Sequence, residues 1–332
     1  MSKRTLPTAS LSLDLDNKWS YMKTHGDEGW QAFPSYLDLV VPRFLEFLQE
    51  RQLNITVFVV GQDAALEKNQ AALASISAAG HEIGNHSFHH EPWLHLYSRE
   101  ELISELARTE DILEQVTGQR PIGFRGPGYS QSPELIRVLA ERGYTYDAST
   151  LPTFIGPLAR LYYFFTAHLN RDQKQERKKL FGTIADGFRP LKAYRWKAPN
   201  DSMIEIPVTT MPIFRVPFHF SYLLYLRTFS RVLPMVFFRL ALAMCRMTGV
   251  EPSLLLHPLD FLGKDDVPDL SFFPGMSLHS DVKLELLSQA VEILQQQFEV
   301  VPMGEHAKRI AARIPGPQAV TRATATAVPV SS

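Results

Sequence analysis

Cysteine is almost absent from this sequence of 332 residues, with Cys245 as its single example. One cysteine excludes an intramolecular disulfide and any metal site built from thiolates. The sequence also lacks a run of 18 apolar residues, so we expect no membrane-spanning helix. Its net charge is −1, which lacks the excess of positive charge typical of nucleic-acid binding, and no nucleic-acid partner is expected.

The N-terminal segment, residues 1–7, carries positive charge without an apolar stretch behind it. This pattern lacks the features of a secretory signal, and it predicts a cytoplasmic location. The whole chain is 45% apolar and 21% charged, which is an ordinary composition for a globular protein. Its length provides enough apolar material for one large core.

Strand-like and helix-like stretches alternate through the first half of the chain, and short loops join them. Such alternation is typical of parallel βαβ units, in which the ends of the strands meet at one face. Asp14, His86, Arg125 and Asp147 each fall at or just after the end of a predicted strand. The predicted strands are residues 11–15, 54–60, 81–85, 123–125 and 144–147, and the predicted helices are 36–51, 64–79, 99–117 and 132–142.

Two pairs of residues have the spacing of a metal site. Asp14 and Asp16 are two apart on a predicted strand, so both carboxylates would lie on one face. His86 and His90 are four apart and can bind one ion if the backbone between them turns helically. Two histidines and one aspartate leave positions open on a divalent ion, as hydrolysis requires, and the second aspartate would then serve as a base.

Further motifs follow in order, and with them the chain resembles the NodB-homology polysaccharide deacetylase superfamily. That family has an aspartate pair, an H-[ST]-x-x-H motif, an R-x-P motif and a late L-x-H motif. The corresponding segments here are Asp14 with Asp16, His86 to His90, Arg125-Gly126-Pro127 and Leu255-Leu256-His257. The resemblance implies a distorted (β/α) barrel of about seven parallel strands over residues 8–305, with an insertion at about 151–250.

The resemblance also assigns roles to the motif residues. Asp16, His86 and His90 would hold a divalent metal, most simply Zn²⁺. Asp14 would be the general base, Arg125 would orient it, and His257 would protonate the departing amine. Supporting roles, open at this point, fall on three further residues. Asp147 would support the site or cap a loop, Asp260 would orient His257 or be solvated, and Tyr129 closes a turn whose backbone N–H groups could stabilise an oxyanion.

The chain departs from the family's commonest pattern in ways that leave some roles open. The adjacent aspartates of that pattern are spaced here as Asp-Leu-Asp, which resembles a branch containing peptidoglycan deacetylases and the deformylase of lipid-linked aminoarabinose. The segment that often supports the catalytic histidine is not recognisable, so the partner of His257 is undetermined.

The insertion contains an unusual stretch, residues 206–250, with five arginines, many aromatic and aliphatic residues and no Asp or Glu. Two interpretations stay open for its central part, residues about 211–247. Its helices would lie on a membrane surface with arginines at phosphates, or they would form a lid on the barrel with arginines reaching into solvent. The C-terminal residues 314–332 are rich in Ala, Thr, Pro, Val and Ser and are expected to be disordered.

The leading functional prediction is a metal-dependent hydrolase that removes an acetyl or formyl group from an N-acylated sugar or glycan. A lipid-linked sugar at the inner membrane face would make the protein peripheral there. One alternative is the same chemistry on a small soluble amide or cyclic ureide. Another is a glycan-binding relative without catalysis, against which the complete set of motif residues argues.

Overall fold

A computed structural model of the chain describes residues 6–154, 187–197 and 203–314. The strands are β1 Thr8–Asp14, β2 Thr56–Val59, β3 Glu82–Asn85, β4 Gly123–Phe124, β5 Tyr146–Asp147, β6 Tyr194–Arg195, β7 Ile204–Glu205, β8 Ser253–Leu256 and β9 Glu299–Val301. Within the described ranges they form a nine-stranded sheet in the order β6-β7-β5-β4-β3-β2-β1-β8, and β9 pairs with the start of β1. Every pairing is parallel except β6 with β7.

The sheet curls into the predicted distorted (β/α) barrel. Beyond the end of β7, the backbone N–H of Thr209 donates to the carbonyl of Ser253 at the start of β8 at 3.0 Å, the length of an ordinary hydrogen bond. This contact brings the two sides of the sheet together. The fold class is therefore confirmed. The strand number exceeds the expected seven because β6 adds an antiparallel edge strand and β9 pairs with the start of β1.

Helices alternate with the strands and cover the outer face of the sheet. They are α1 Lys18–His25, α2 Leu37–Glu50, α3 Gly61–Ala64, α4 Glu67–Ala78, α5 Arg99–Thr117, α6 Pro133–Glu141, α7 Phe220–Arg227, α8 Leu233–Thr248, α9 Ser280–Gln297 and α10 Met303–Arg313. In α2 the apolar residues recur at helical spacing, and Leu37, Val40, Phe44 and Leu48 are fully buried. Each such side chain stabilises the fold by about 1.5–3 kcal/mol.

One predicted helix is wrong in its extent. Residues 64–79 were expected to form a single helix, but the chain forms α3 and α4 with Leu66 in an extended conformation between them. The break follows from Asp63, which is buried and accepts hydrogen bonds from Asn17 and Trp19 in the loop after β1. Such a long-range contact leaves no trace in the local periodicity of the sequence.

The C-terminal part of the fold extends past the predicted domain boundary at residue 305, which falls inside α10. Met303, Ala307 and Ile310 of that helix are buried. The predicted disordered tail lies outside the described residues except for Ile314. No helix in the described part of the chain is long and apolar enough to cross a membrane.

Candidate active site

The predicted site residues lie where neighbouring parallel strands end. β1 ends at Asp14, β3 ends one residue before His86, β4 ends one residue before Arg125, and β8 ends one residue before His257. Since β4, β3, β2, β1 and β8 are neighbours in the sheet and run parallel, these side chains meet at its carboxyl edge. Asp16 lies two residues beyond β1, in the loop rather than on the strand that the sequence predicted.

Asp16, His86 and His90 come together as a three-ligand cluster. One ligand atom of each lies within 4.8 Å of the other two. The Asp16 Oδ1 atom is 2.9 Å from His90 Nε2 and 3.5 Å from His86 Nε2. Although it is close to both rings, this buried oxygen has no partner in hydrogen-bonding geometry. Burial alone would raise the pKa of the Asp16 carboxyl, but the imidazoles of His90 and His86 outweigh it and hold that pKa well below its ordinary value.

The segment between the two histidines is not the helical turn that their spacing suggested. Ser87 and His90 both have left-handed backbone conformations, with φ of 63° and 54°. The buried carboxylate of Glu105 holds this loop, because it accepts the backbone N–H groups of Phe88 at 2.9 Å and His89 at 2.7 Å. It also pairs with His89 Nδ1 at 2.8 Å, so the ring of His89 lies outside the cluster.

The ring of His86 is oriented by the strand beside it. Its Nδ1 lies 2.6 Å from the carbonyl oxygen of Arg125. A carbonyl only accepts hydrogen bonds, so Nδ1 carries a proton, and Nε2 is the ring nitrogen that faces Asp16. This arrangement is typical of a histidine that ligates a metal. The backbone of Asp16 is fixed from the other side, where its carbonyl accepts the Tyr36 hydroxyl at 2.6 Å.

Asp14 is paired with a fully buried arginine. Arg125 Nη1 donates to Asp14 Oδ1 at 2.7 Å and to Ser12 Oγ at 2.9 Å, and its Nε donates to the carbonyl of Ala148 at 3.1 Å. Its guanidinium lies 4.4 Å from the ring centroid of Phe58. A buried guanidinium with these partners has little freedom, so it fixes one oxygen of Asp14 in place.

His257 is held by residues on two elements. Its backbone N–H donates to Asp260 Oδ2 at 2.8 Å, and its ring Nδ1 lies 3.4 Å from Ser221 Oγ at the start of α7. Ser221 Oγ donates to Asp260 Oδ1 at 3.0 Å. Asp260 is therefore buried rather than solvated, and its burial raises the pKa of its carboxyl although His257 acts in the opposite direction. Its carboxylate contacts the backbone of His257 and not the ring.

Asp147 and Tyr129, the two remaining candidates for supporting roles, have different surroundings. Asp147 is fully buried and accepts hydrogen bonds from Ser149 Oγ at 2.6 Å and Gln131 Nε2 at 2.9 Å, so it holds the loop after β5. Burial and the negative charge of Asp14 raise the pKa of the Tyr129 hydroxyl. The backbone N–H of Tyr129 donates to the carbonyl of Gly126, so that group is not free to stabilise an oxyanion as the sequence analysis suggested.

The sequence analysis missed two residues beside His257. Ser221 carries no motif, and its contact with His257 depends on the path of the insertion. His219, which the sequence gave no role, is 7% exposed, and its ring centroid lies 5.9 Å from that of His257. Burial and the charges of His257 and Arg125 lower the pKa of His219 well below its ordinary value, so its ring is neutral.

Comparisons of sequence connect part of this chain with known proteins. Residues 26–146 match the sequence model of the polysaccharide deacetylase family. The chain is 27% identical over 111 residues to a peptidoglycan deacetylase of Helicobacter pylori, covering 33% of this chain and 37% of that protein. It is 33% identical over 86 residues to a peptidoglycan-N-acetylglucosamine deacetylase of Bacillus cereus, covering 26% and 30%. The matched segments thus span about a third of the length of these relatives.

Comparisons of structure extend over nearly the whole chain. A proposed polysaccharide deacetylase from Mycobacterium smegmatis has a TM-score of 0.58 at 20% identity, covering 94% of this chain and 97% of that one. Puue allantoinase has a TM-score of 0.56 at 17% identity, covering 95% and 93%. At these identities the likeness concerns the fold alone. The predicted resemblance to the polysaccharide deacetylase (NodB-homology, carbohydrate esterase 4) superfamily is therefore confirmed by the sequence of residues 26–146, and the fold of the chain is similar to those of the two structures.

Proposed function

We propose that this protein is a metal-dependent hydrolase that removes an N-acyl group, acetyl or formyl, from a sugar or glycan. The observation that carries this proposal is the convergence of Asp16, His86 and His90 beside the Asp14–Arg125 pair. The relationship to peptidoglycan deacetylases supports it. Because the curated relatives match only about a third of their length, the activity is our inference and not a transfer from them.

The donor set fits a divalent metal. Two neutral imidazole nitrogens and one carboxylate oxygen are the ligands that Zn²⁺ accepts in catalytic sites, with a fourth position left open. Ligands of a tetrahedral zinc ion lie about 3.3 Å apart, given bonds of about 2.0 Å. The two distances from Asp16 Oδ1, 2.9 and 3.5 Å, bracket that value. The unpartnered state of that buried oxygen agrees with a role as a metal ligand. A bound ion would supply Lewis-acid polarisation of the scissile carbonyl.

The chain's own residues would divide the proton transfers of amide cleavage. Arg125 donates a hydrogen bond to Oδ1 of Asp14, and no described residue donates one to Oδ2. Oδ2 can therefore accept the proton of the attacking water. His257 would give a proton to the departing amine. Its Nδ1 faces Ser221, so Nε2 is the atom that faces the substrate. Asp14 and His257 would thus act as base and acid.

We further propose that the substrate is lipid-linked and that the protein reaches it at a membrane surface. Most of the strongly exposed large apolar side chains lie between residues 213 and 247. On α8, Leu233, Val236, Leu240 and Met247 recur at helical spacing and are 44–85% exposed. The opposite side of α8 is buried against the barrel. The helix therefore presents a second apolar stripe that the described chain leaves uncovered.

Charge supports this interpretation of the stripe. Arg239 and Arg246 are exposed on the same side of α8, and no carboxylate in the described ranges pairs with them. Each arginine near an anionic leaflet contributes about 1 kcal/mol of attraction. The test is co-sedimentation with phosphatidylglycerol or phosphatidylcholine vesicles at two salt concentrations. Arg239→Glu with Arg246→Glu should abolish binding, and Lys264→Glu with Lys308→Glu, which changes the net charge equally elsewhere, should not.

The activity itself is tested by a screen of metal-loaded protein against N-acetyl and N-formyl sugars, free and lipid-linked, with amine release as the readout. Release from sugars that a chelator abolishes and Zn²⁺ restores would support the proposal. Turnover confined to small amides or cyclic ureides would favour the soluble amidohydrolase instead. Glycan binding without any turnover would favour the non-catalytic relative.

A further inference from the structure

We infer that Ser221 is the residue that orients His257, by linking the Nδ1 of its ring to the buried carboxylate of Asp260. The inference rests on the proposed function for the role of His257 as the acid, but the link itself is independent of it. Ser221 is a positioning residue here, because it acts on the substrate only through His257.

The geometry consists of three contacts that share one carboxylate. Ser221 Oγ lies 3.4 Å from His257 Nδ1 and 3.0 Å from Asp260 Oδ1, and Asp260 Oδ2 accepts the backbone N–H of His257 at 2.8 Å. Asp260 is 1% exposed, so water does not compete strongly for its oxygens. The contact to the ring is long, as contacts in catalytic sites often are before the substrate binds.

The direction of the hydrogen bonds follows from the chemistry of the three groups. The Ser221 hydroxyl donates its proton to Asp260 Oδ1, and Asp260 Oδ2 accepts the backbone N–H of His257, so both carboxylate oxygens are acceptors. The hydroxyl oxygen then has a lone pair for His257 Nδ1, which must carry the hydrogen. The neutral ring is thereby fixed in the Nδ1–H tautomer, and Nε2 becomes the nitrogen that gains and gives up a proton at the substrate.

The surroundings of His257 fit this arrangement. Lys283 donates to the carbonyls of Leu259 and Leu262 at 2.8 Å each, which holds the turn that carries Asp260 and adds a positive charge near its carboxylate. The neighbouring ring of His219 is neutral, so it adds no positive charge beside His257. These contacts hold Asp260 in place at the end of the link.

The link also assigns a role to the insertion. Ser221 lies in the first turn of α7, which belongs to the predicted insertion at residues 151–250. The core strands supply His257, and the turn after β8 supplies Asp260. The insertion supplies the hydroxyl that lies between the ring Nδ1 and the Asp260 carboxylate, so it completes the link.

The kinetic test compares Ser221→Ala with Ser221→Thr and with Ser75→Ala, which removes an exposed hydroxyl from α4, a helix that carries none of the proposed site residues. General acid catalysis contributes about 10²- to 10⁴-fold, and disordering the acid should remove part of it, about 10- to 100-fold in kcat. KM, metal content and Tm should not change. Ser221→Thr should restore most of kcat, and Ser75→Ala should match the wild type.

A second substrate, whose leaving group needs no proton, makes this test specific for the role of the acid. A 4-nitrophenolate leaves without needing a proton, so hydrolysis of 4-nitrophenyl acetate should be nearly insensitive to Ser221→Ala. An equal loss on the ester and on the N-acyl sugar would overturn the inference, because it would mean that Ser221 acts on the site as a whole. Unchanged kcat on the N-acyl sugar would overturn it as well.

Nitrogen-15 NMR of the histidine rings tests the link without any turnover. The neutral ring of His257, assigned with a His257→Gln variant, should be the Nδ1–H tautomer in the wild type and a mixture of tautomers in Ser221→Ala. A wild-type ring protonated at Nε2 would refute the link. The expected tautomer, together with no activity on any N-acyl sugar, would support the link and reject the proposed function.

Discussion

Replacement of Asp14 by asparagine separates its chemistry from its structural role. Asp14 is nearly buried, and its Oδ1 is the carboxylate oxygen that receives the fully buried guanidinium of Arg125 at 2.7 Å. Asparagine keeps an oxygen in that place, so the hydrogen bond can persist. It lacks the negative charge and cannot accept a proton from water. We therefore expect Asp14→Asn to fold, to retain its metal and to lose turnover.

Two magnitudes are expected for these variants, a loss of turnover and a loss of folding stability. Loss of a general base costs about 10²- to 10⁴-fold in kcat. Removing one partner of a buried ion pair costs about 3–5 kcal/mol, which is the expectation for Asp14→Ala. Asparagine retains an acceptor for Arg125, so its cost should fall to about 1.5–3 kcal/mol, the contribution of a hydrogen bond to a charged group. A domain stable by about 5–15 kcal/mol tolerates the asparagine variant more safely than the alanine variant.

The assay combines kcat on an N-acyl sugar, metal content by mass spectrometry and urea unfolding. Ser12→Ala is the matched control, because Ser12 Oγ accepts from the same Arg125 Nη1 at 2.9 Å without being a base. It should lose stability and keep turnover. Near-normal turnover of Asp14→Asn would refute the assignment of the base. Loss of metal from Asp14→Asn would mean that Asp14 and Asp16 exchange roles.

Three further outcomes are expected. His86→Ala and His90→Ala should each lose the bound metal, whereas His279→Ala at the surface should keep it; full occupancy in both site variants would contradict the proposed ligands. Binding to anionic vesicles should weaken as salt rises, because surface charges are screened within about 8 Å at physiological ionic strength. Burial lowers the pKa of Lys283 to about 8, below that of the unfolded chain, so this group contributes stability that grows as the pH rises above about 8. Relative to Lys283→Met, the wild type should gain up to about 3 kcal/mol in urea unfolding between pH 8 and pH 10, and a pH-independent difference would refute the cause.

Local signals were sufficient for the elements whose ends are fixed by local contacts. The helix predicted at residues 99–117 has the same bounds in the structure. Ser98 and Glu101 form a reciprocal capping box at its start, and Gly118 ends it with a left-handed conformation. Both features are encoded within a few residues of the helix. The break between α3 and α4 is different, because the loop residues that hold Asp63 lie more than 40 positions away.

The candidate site also combines features that the sequence predicts with features that depend on long-range contacts. Order along the chain and parallel pairing were enough to predict that Asp14, His86 and Arg125 meet at one edge of the sheet, and the family resemblance added His257. The path from His86 to His90 could not be predicted from their spacing, because Glu105 on α5 holds the loop through two backbone N–H groups. Two left-handed residues then replace the expected helical turn.

The contacts around His257 show why Ser221 could not be identified from a sequence motif. A motif is visible when the sheet fixes the position of a side chain, since strand ends recur in a set order along the chain. Ser221 reaches the ring of His257 from a helix outside that order, and its partner Asp260 contacts the histidine through the backbone. An aspartate or a serine placed differently in the insertion could serve the same ring equally well. The position of His257, the proposed acid, is therefore predictable from the sequence, whereas the position of Ser221, its proposed orienting residue, depends on how the insertion packs.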